Sequence, residues 1–257
     1  MPARTKTQIA NQYDDKTLDY RDYWQGRDYE QQSEVVAIKR LLNGRHFANA
    51  VDVGGGYGRL CLLLAEYADT VTLVEPSQKQ LELAKDFLKS HPEIKKLHMS
   101  NGTKLDFKDG AVDLVTMVRV MHHLPDPIPE LKEISRILTE SGYAVIEVAN
   151  YGHALNRLKH IIQGKKLPTN PVDIRSPEHR TADFIPFVDH NPKTVIGQLN
   201  QVGLEVVDTL SVSNLRSGTL KKVMPQTLMV EIEKNTQHVL APLYFGPSIF
   251  FLVRKLS

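Results

Sequence analysis

A single cysteine, Cys61, occurs in the 257 residues. That excludes a disulfide framework and any cysteine-rich zinc site. Long apolar runs are also missing. The longest, such as 249–253, are strand-length, whereas a bilayer span needs about 20 residues, so no membrane insertion is expected. Charge of one sign is scarce as well. The formal net charge is only +2, which marks the whole chain neither for nucleic acid nor for an anionic surface. The first 20 residues are polar and hold no apolar h-region, so no secretory signal is expected and the chain reads as cytoplasmic. Internal repeats and low-complexity tracts are absent.

What is present suits one α/β domain, or one with an added cap. Residues 46–150 alternate short β-branched runs (50–54, 71–75, 97–100, 112–118 and 143–149) with helical stretches at about 58–67, 78–90 and 127–139. Such alternation implies βαβ units and a parallel sheet. Several of the strands read apolar throughout, as strands covered on both faces do. Ser77 with Gln80 three residues on forms a capping box. Asp126-Pro127 and Asn191-Pro192 read as helix starts, and Gly142 and Gly203 as helix stops. Strands follow at 204–212 and 248–254. Three segments fall outside this frame: 1–44, 151–190 and 214–245. The first is read as an N-terminal lid and the other two as inserted cap segments of a single domain, with 46–150 the ligand-binding core.

The chemistry starts at Val51-Asp52-Val53-Gly54-Gly55-Gly56-Tyr57-Gly58-Arg59-Leu60. An apolar strand runs into four glycines in five residues, and a helix leaves them. Glycine lets the backbone turn tightly and approach a ligand closely, and a helix N-terminus offers free N–H groups. A dinucleotide fingerprint, Gly-x-Gly-x-x-Gly, fits poorly: its third glycine would fall on Arg59 or Cys61. Asp-x-Gly-x-Gly-x-Gly fits without strain, with Asp52, Gly54, Gly56 and Gly58.

That pattern resembles motif I of the class I S-adenosylmethionine-dependent methyltransferases, of the ubiquinone/menaquinone methylase-like small-molecule type. The resemblance continues at Glu75, which ends the second strand where the family has an acid that accepts the ribose hydroxyls, and at Pro76, placed to pack on the adenine. The third element is Ser100-Asn101-Gly102-Thr103-Lys104-Leu105-Asp106-Phe107. Asn101 stands where the family usually has Asp, with Gly102 beside it, and the pair is expected at the adenine edge. The fourth element runs from Val112 to Asp126 and ends in His122-His123-Leu124-Pro125-Asp126. In the family, the residues at Val118 and Arg119 border the methionine end of the cofactor, largely through backbone. The resemblance implies S-adenosylmethionine as cofactor, S-adenosylhomocysteine as product, and a Rossmann-like, seven-stranded, mostly parallel sheet of order 3-2-1-4-5-7-6. Its last strand would be antiparallel, with helices on both faces.

A sulfonium methyl is already activated, so such an enzyme mainly aligns an acceptor for in-line displacement and excludes water. Orientation of this kind supplies roughly 7–11 kcal/mol. A base is needed only where the acceptor keeps its proton at neutral pH. His123, and behind it His122, are the candidates, because they follow a strand's carboxyl end, where open α/β sheets bind ligands. No metal-ligand cluster stands out, so a metal-independent reaction is expected. The Asn/Asp-Pro-Pro-aromatic motif of amino-methylating enzymes is absent. Cys61, among leucines, reads as a core residue rather than a nucleophile.

Two segments are expected to choose the substrate. Tyr23, Trp24, Arg27 and Tyr29 resemble the N-terminal lid of small-molecule methyltransferases. The rings would wall off a cleft, and Arg27 would meet a carboxylate. From Arg157 to Arg180 six cations face two acids, and three prolines argue for a mostly non-helical loop suited to an anionic substrate or to RNA phosphates. Residues 225–240 read as an amphipathic helix with Leu228, Ile232 and Val239 inward. The leading function is methyl transfer to a small molecule at oxygen, nitrogen or carbon. The alternatives are an RNA methyltransferase using the 157–180 loop, and a cofactor-binding protein without turnover.

Overall fold

The structure, a computed structural model, describes residues 13–15, 19–99, 102–181 and 184–256. Seven strands form one sheet: β1 (Phe47–Val53), β2 (Ala68–Glu75), β3 (Lys95–His98), β4 (Val112–Met117), β5 (Leu138–Ala149), β6 (Leu204–Val212) and β7 (Ser248–Lys255). Their order is β3-β2-β1-β4-β5-β7-β6. The first five pair in parallel, and β7 runs antiparallel to both β5 and β6. This is the Rossmann-like order that the resemblance implied. No helix among the described residues is long and apolar enough to cross a membrane.

The strands alternate between two cores because successive side chains leave a sheet on opposite faces. Leu114 and Phe250 join Ile38, Leu41, Leu64 and Leu88 on one face. Val115 and Phe251 join Leu131, Ile134, Ile137 and Leu199 on the other. Each fully buried side chain of this size contributes about 1.5–3 kcal/mol. Helices α1 (Asp28–Leu41), α2 (Cys61–Leu64), α3 (Gln78–Phe87) and α4 (Ile128–Ile137) flank the sheet. After β5 come α5 (Ala154–Ile162), α6 (Pro177–Thr181), α7 (Pro192–Gln201), α8 (Gly218–Val223) and α9 (Gln226–Leu240). Cys61 is fully buried. The Ser77 hydroxyl accepts from the Gln80 N–H at 3.1 Å, and Asn191 Oδ1 from the Lys193 N–H at 3.1 Å, so both caps form.

Three expectations about elements need correction. The helix expected over 58–67 is a single turn, α2, because Gly54, Gly56 and Gly58 keep the chain turning at φ +68°, +59° and +84°. Gly142 does not stop a helix: α4 has already ended at Ile137, and Gly142 lies in a bulge of β5, where the register against β4 shifts. A Cβ there would sit 3.0 Å from the Thr139 carbonyl oxygen, so the bulge needs the glycine. In α9 the inward stripe is Met229, Glu233 and Gln237, whereas Leu228 and Val239 are exposed and Ile232 is half-buried. Each inward polar side chain has a partner: Glu233 accepts from the Tyr29 hydroxyl (2.7 Å) and the Ser213 N–H (2.7 Å), and the Gln237 amide donates to the Ser33 carbonyl (3.0 Å), although Gln237 Oε1 itself has no partner among the described residues. A hydrophobicity pattern is blind to such a face. The 157–180 segment is mostly non-helical, as expected, with α5 and α6 occupying its ends.

Candidate active site

Strands β1, β2 and β4 end at one edge of the sheet, and a cleft opens there. Its volume, counting the open mouth, is about 1230 Å³. Its floor is the glycine loop. Asp52, fully buried, accepts from the Thr116 hydroxyl at 2.6 Å, and burial pushes its carboxyl up to about 6. Gly55 packs directly on it: a Cβ would fall 2.2 Å from Asp52 Oδ2. A Cβ on Gly56, by contrast, would enter the cleft, with only Gln80 Oε1 (3.8 Å) and a Tyr20 ring carbon (4.0 Å) near it. The loop therefore leaves room for a ligand at Gly56 and none for a side chain at Gly55.

Glu75, at the end of β2, closes the loop from the other side. One oxygen accepts from the Gly56 N–H at 2.9 Å and the other from the Ser77 N–H at 2.9 Å. Burial pushes its carboxyl up to about 7. A carboxylate offers about four acceptor sites, so two remain for a ligand's hydroxyls. Pro76, Gly102 and Val118 line the cleft. Asn101 lies outside the described residues.

Arg119 stands at the carboxyl end of β4 with φ +60°, a conformation that L side chains rarely adopt. Its N–H donates to Glu147 at 3.0 Å, which holds that turn. Burial alone would lower its pKa, but the facing Glu34 and other anionic neighbours raise it and keep it charged. Glu34, buried on α1, accepts from Arg119 Nε (2.7 Å) and from Arg59 Nη2 (2.5 Å). Both guanidiniums lie over the Trp24 ring, at 3.9 Å for Arg59 and 4.8 Å for Arg119. One carboxylate thus serves two cations. Arg59 Nη1 is buried without a hydrogen-bond partner among the described residues, as are Gln80 Oε1 and Trp24 Nε1, and all three residues line the cleft. Unpaired buried polar atoms are costly, and a polar ligand in the cleft would pair all three.

His123 lines the cleft and His122 does not. His122 packs against Phe187 (4.4 Å between ring centres) and His123 (4.0 Å), and burial lowers its pKa well below the ordinary range. Its candidacy as a base is corrected on that ground: it is buried against rings and away from the ligand space. His123 Nδ1 is 2.9 Å from the Pro186 carbonyl, which only accepts, so Nδ1 carries the proton. Nε2 is then the acceptor for the Tyr13 hydroxyl at 2.7 Å. Burial lowers the His123 pKa to about 4, so the ring is neutral at physiological pH.

The expected lid residues divide. Trp24 lines the cleft, together with Tyr13 and Tyr20. Tyr23 stands one layer back, its hydroxyl 3.2 Å from Arg119 Nη1 and its ring stacked on Tyr20. Arg27 does not reach the cleft: its guanidinium lies 4.1 Å over the Tyr23 ring. Tyr29 is buried at the α1–α9 contact, bonded to Glu233 and the Leu215 N–H, and is corrected from substrate contact to packing. The 151–190 segment reaches the site through Pro186 and Phe187 rather than through its cations. Sequence reasoning missed the Glu34 pairing, because it joins residues 25 and 85 positions apart. It also missed Tyr13 on His123. Arg59 was legible as part of the glycine motif, but nothing local gave it a role.

Comparison with known proteins agrees with this geometry. A family model described as a methyltransferase domain matches residues 51–146. An uncharacterized methyltransferase of Schizosaccharomyces pombe is 32% identical over 109 residues, 39% of this chain and 39% of that protein. A ubiquinone biosynthesis O-methyltransferase of Colwellia psychrerythraea is 25% identical over 208 residues, covering 78% of this chain and 81% of that one. Against three of the curated relatives the chain spans only 39%, 35% and 56% of their length. The fold is shared with a methyltransferase solved in complex with the Haloferax volcanii Trm112 methyltransferase activator, at TM-score 0.64, 18% identity, and 95% and 98% coverage of the two chains. Residues 51–146, which hold the glycine motif and the strand-end acid, are thus similar to a methyltransferase domain, and the chain shares its fold with a solved methyltransferase.

Proposed function

We propose that the chain transfers a methyl group from S-adenosylmethionine to a small-molecule acceptor bound beside Tyr13, Tyr20 and Trp24. The observation that carries this reading is the set of unpartnered buried atoms around the glycine loop. Arg59 Nη1 and Trp24 Nε1 are donors, matched to the carboxylate at the cofactor's amino-acid end; Gln80 Oε1 is an acceptor, matched to a hydroxyl or amino group. Glu75 would hold the ribose, and Gly56 would leave it space. When bound, the cofactor supplies a methyl already activated as a sulfonium. The chain's part is to orient the acceptor, keep water out with Tyr13, Tyr20 and Trp24, and offer His123 Nε2 to a proton leaving the acceptor.

RNA is the weaker acceptor. Two of the six cations of 157–180, Arg175 and Arg180, are engaged by Asp173, at 2.6 Å and 3.8 Å, and the segment exposes leucine and isoleucine alongside the rest. The test is calorimetric binding of S-adenosylmethionine, S-adenosylhomocysteine and NAD, followed by label transfer from the cofactor into a metabolite extract and into RNA. Binding of the first two but not NAD, with label in a small molecule, is the expected result. Label in RNA would select the other acceptor, and binding without transfer a protein that does not turn over.

Glu75 adds a pH dependence. Free, its carboxyl titrates at about 7 because of burial. Ribose hydroxyls donating to it favour the ionised form and lower that pKa, so binding releases a proton. Affinity should therefore rise with pH up to about 7 and level off above it, falling by up to about tenfold per unit on the acid side. Glu75→Gln should flatten the profile and weaken binding by about 1.5–3 kcal/mol. A wild-type affinity that is flat from pH 6 to 8 would remove Glu75 from the ribose.

A further inference from the structure

Helix α5 is built inside out. It leaves the same edge of the sheet at which the cleft opens, and its polar side turns inward. Asn156 donates to the Tyr151 carbonyl at 2.9 Å, the His160 ring meets the Tyr151 hydroxyl at 3.3 Å and the Lys166 carbonyl at 3.0 Å, and the Ala154 N–H donates to the Phe245 carbonyl at 2.9 Å. No residue of the helix is fully buried. Its apolar side chains face out: Leu155 is 74% exposed, Leu158 55%, Ile161 74% and Ile162 77%. At about 100° per residue these four fall on one arc, with Arg157 and Lys159 at its two margins. Gly164, at φ +61°, ends the helix, and the Lys165 N–H closes back on the His160 carbonyl at 2.9 Å, so Lys165 and Lys166 follow at once. From Tyr151 to Val172 there is no Asp or Glu.

We propose that α5 and its basic margins form an interfacial docking helix for a membrane surface carrying anionic lipid. An apolar arc bordered by Lys and Arg, on a helix of little net hydrophobicity, is the pattern that lies in the headgroup boundary, and each cation near such a surface adds attraction. A second copy of the chain fits the patch badly. A stable interface takes about 20–30 residues a side, whereas α5 has nine residues, and a two-fold pairing would set its four cations against the same four. The charge of the patch therefore selects a continuous anionic surface. This inference does not depend on the methyl-transfer reading.

The test is co-sedimentation of the full chain with vesicles of phosphatidylcholine alone and of phosphatidylcholine with phosphatidylglycerol. The expected result is partition onto the mixed vesicles, weakened by high salt, and little onto the neutral ones. Leu158→Asp with Ile162→Asp should lower that partition by about tenfold or more, with the circular dichroism spectrum and melting temperature unchanged because both side chains are already in solvent. Lys165→Glu with Lys166→Glu should lower it too, and restore no binding to neutral vesicles. Equal binding of wild type to both vesicle types, or undiminished binding of the Leu158/Ile162 variant, overturns the proposal. So does a wild type that ignores vesicles but dimerises in solution through the same two residues, or through an acidic protein partner. Cofactor binding measured on the same samples reports separately on the cleft.

Discussion

Gly56→Val should abolish S-adenosylhomocysteine binding at concentrations that saturate the wild type, while the protein stays folded. Gly56 sits at φ +59°, where a β-branched residue is a genuine outlier, and forcing it there costs roughly 1–3 kcal/mol. Relieving that strain moves the Gly56 N–H off Glu75, its acceptor at 2.9 Å, which forfeits a charge-assisted bond of about 1.5–3 kcal/mol. The added side chain also points into the space between Gln80 and Tyr20. Together these amount to about 10²–10⁴-fold in affinity. The fold should survive, because Gly56 contributes no side chain to either core. Calorimetry measures the loss, and a melting curve checks folding. Binding within about threefold of wild type would mean that the ligand does not cross Gly56.

His123→Ala should lower kcat by about 10²–10⁴-fold on the acceptor found by label transfer, and leave the affinity for S-adenosylhomocysteine unchanged. The Pro186 carbonyl fixes the Nδ1–H tautomer, so Nε2 is the ring's acceptor, and the Tyr13 hydroxyl occupies it at 2.7 Å. An acceptor hydroxyl taking the place of that phenol would be positioned to give its proton to Nε2. With the ring held neutral by a pKa of about 4, kcat should show no inflection near the ordinary histidine value of about 6.5. A base this weak suits an acceptor hydroxyl whose proton becomes acidic only as the new bond to carbon forms. Unchanged kcat in the variant would assign His123 to structure. Equal losses in kcat and in cofactor affinity would mean that the ring shapes the cofactor pocket instead.

The strand-to-helix glycine loop and a parallel sheet of βαβ units were readable because each rests on local chemistry, whereas the seven-strand order and the role of Glu75 at the end of β2 came from the family resemblance. Glycine adopts a positive φ at little cost, and β-branched runs alternating with helical stretches imply βαβ units. Cys61 was readable for the same reason, since leucines surround it in sequence. Legibility ended where a residue's partner is far along the chain. Tyr29 looked like a lid aromatic, and it became packing because Glu233, 204 positions away, takes its hydroxyl. Leu228 and Val239 looked like the inner face of α9, but Glu233 and Gln237, bonded to Tyr29, Ser213 and Ser33, displaced them. His122 and His123 are equivalent as neighbours in sequence. Only the approach of Pro186 and Phe187 separates a ring that lines the cleft from one that packs behind it. The sequence by itself determined the cofactor motif and the sheet that presents it, because those depend on backbone conformation and on periodic burial. The tertiary structure alone decided which side chains share the cleft: hydrogen bonds and ion pairs across tens to hundreds of residues leave no periodicity to read, and burial sets their protonation only once the chain has closed around them.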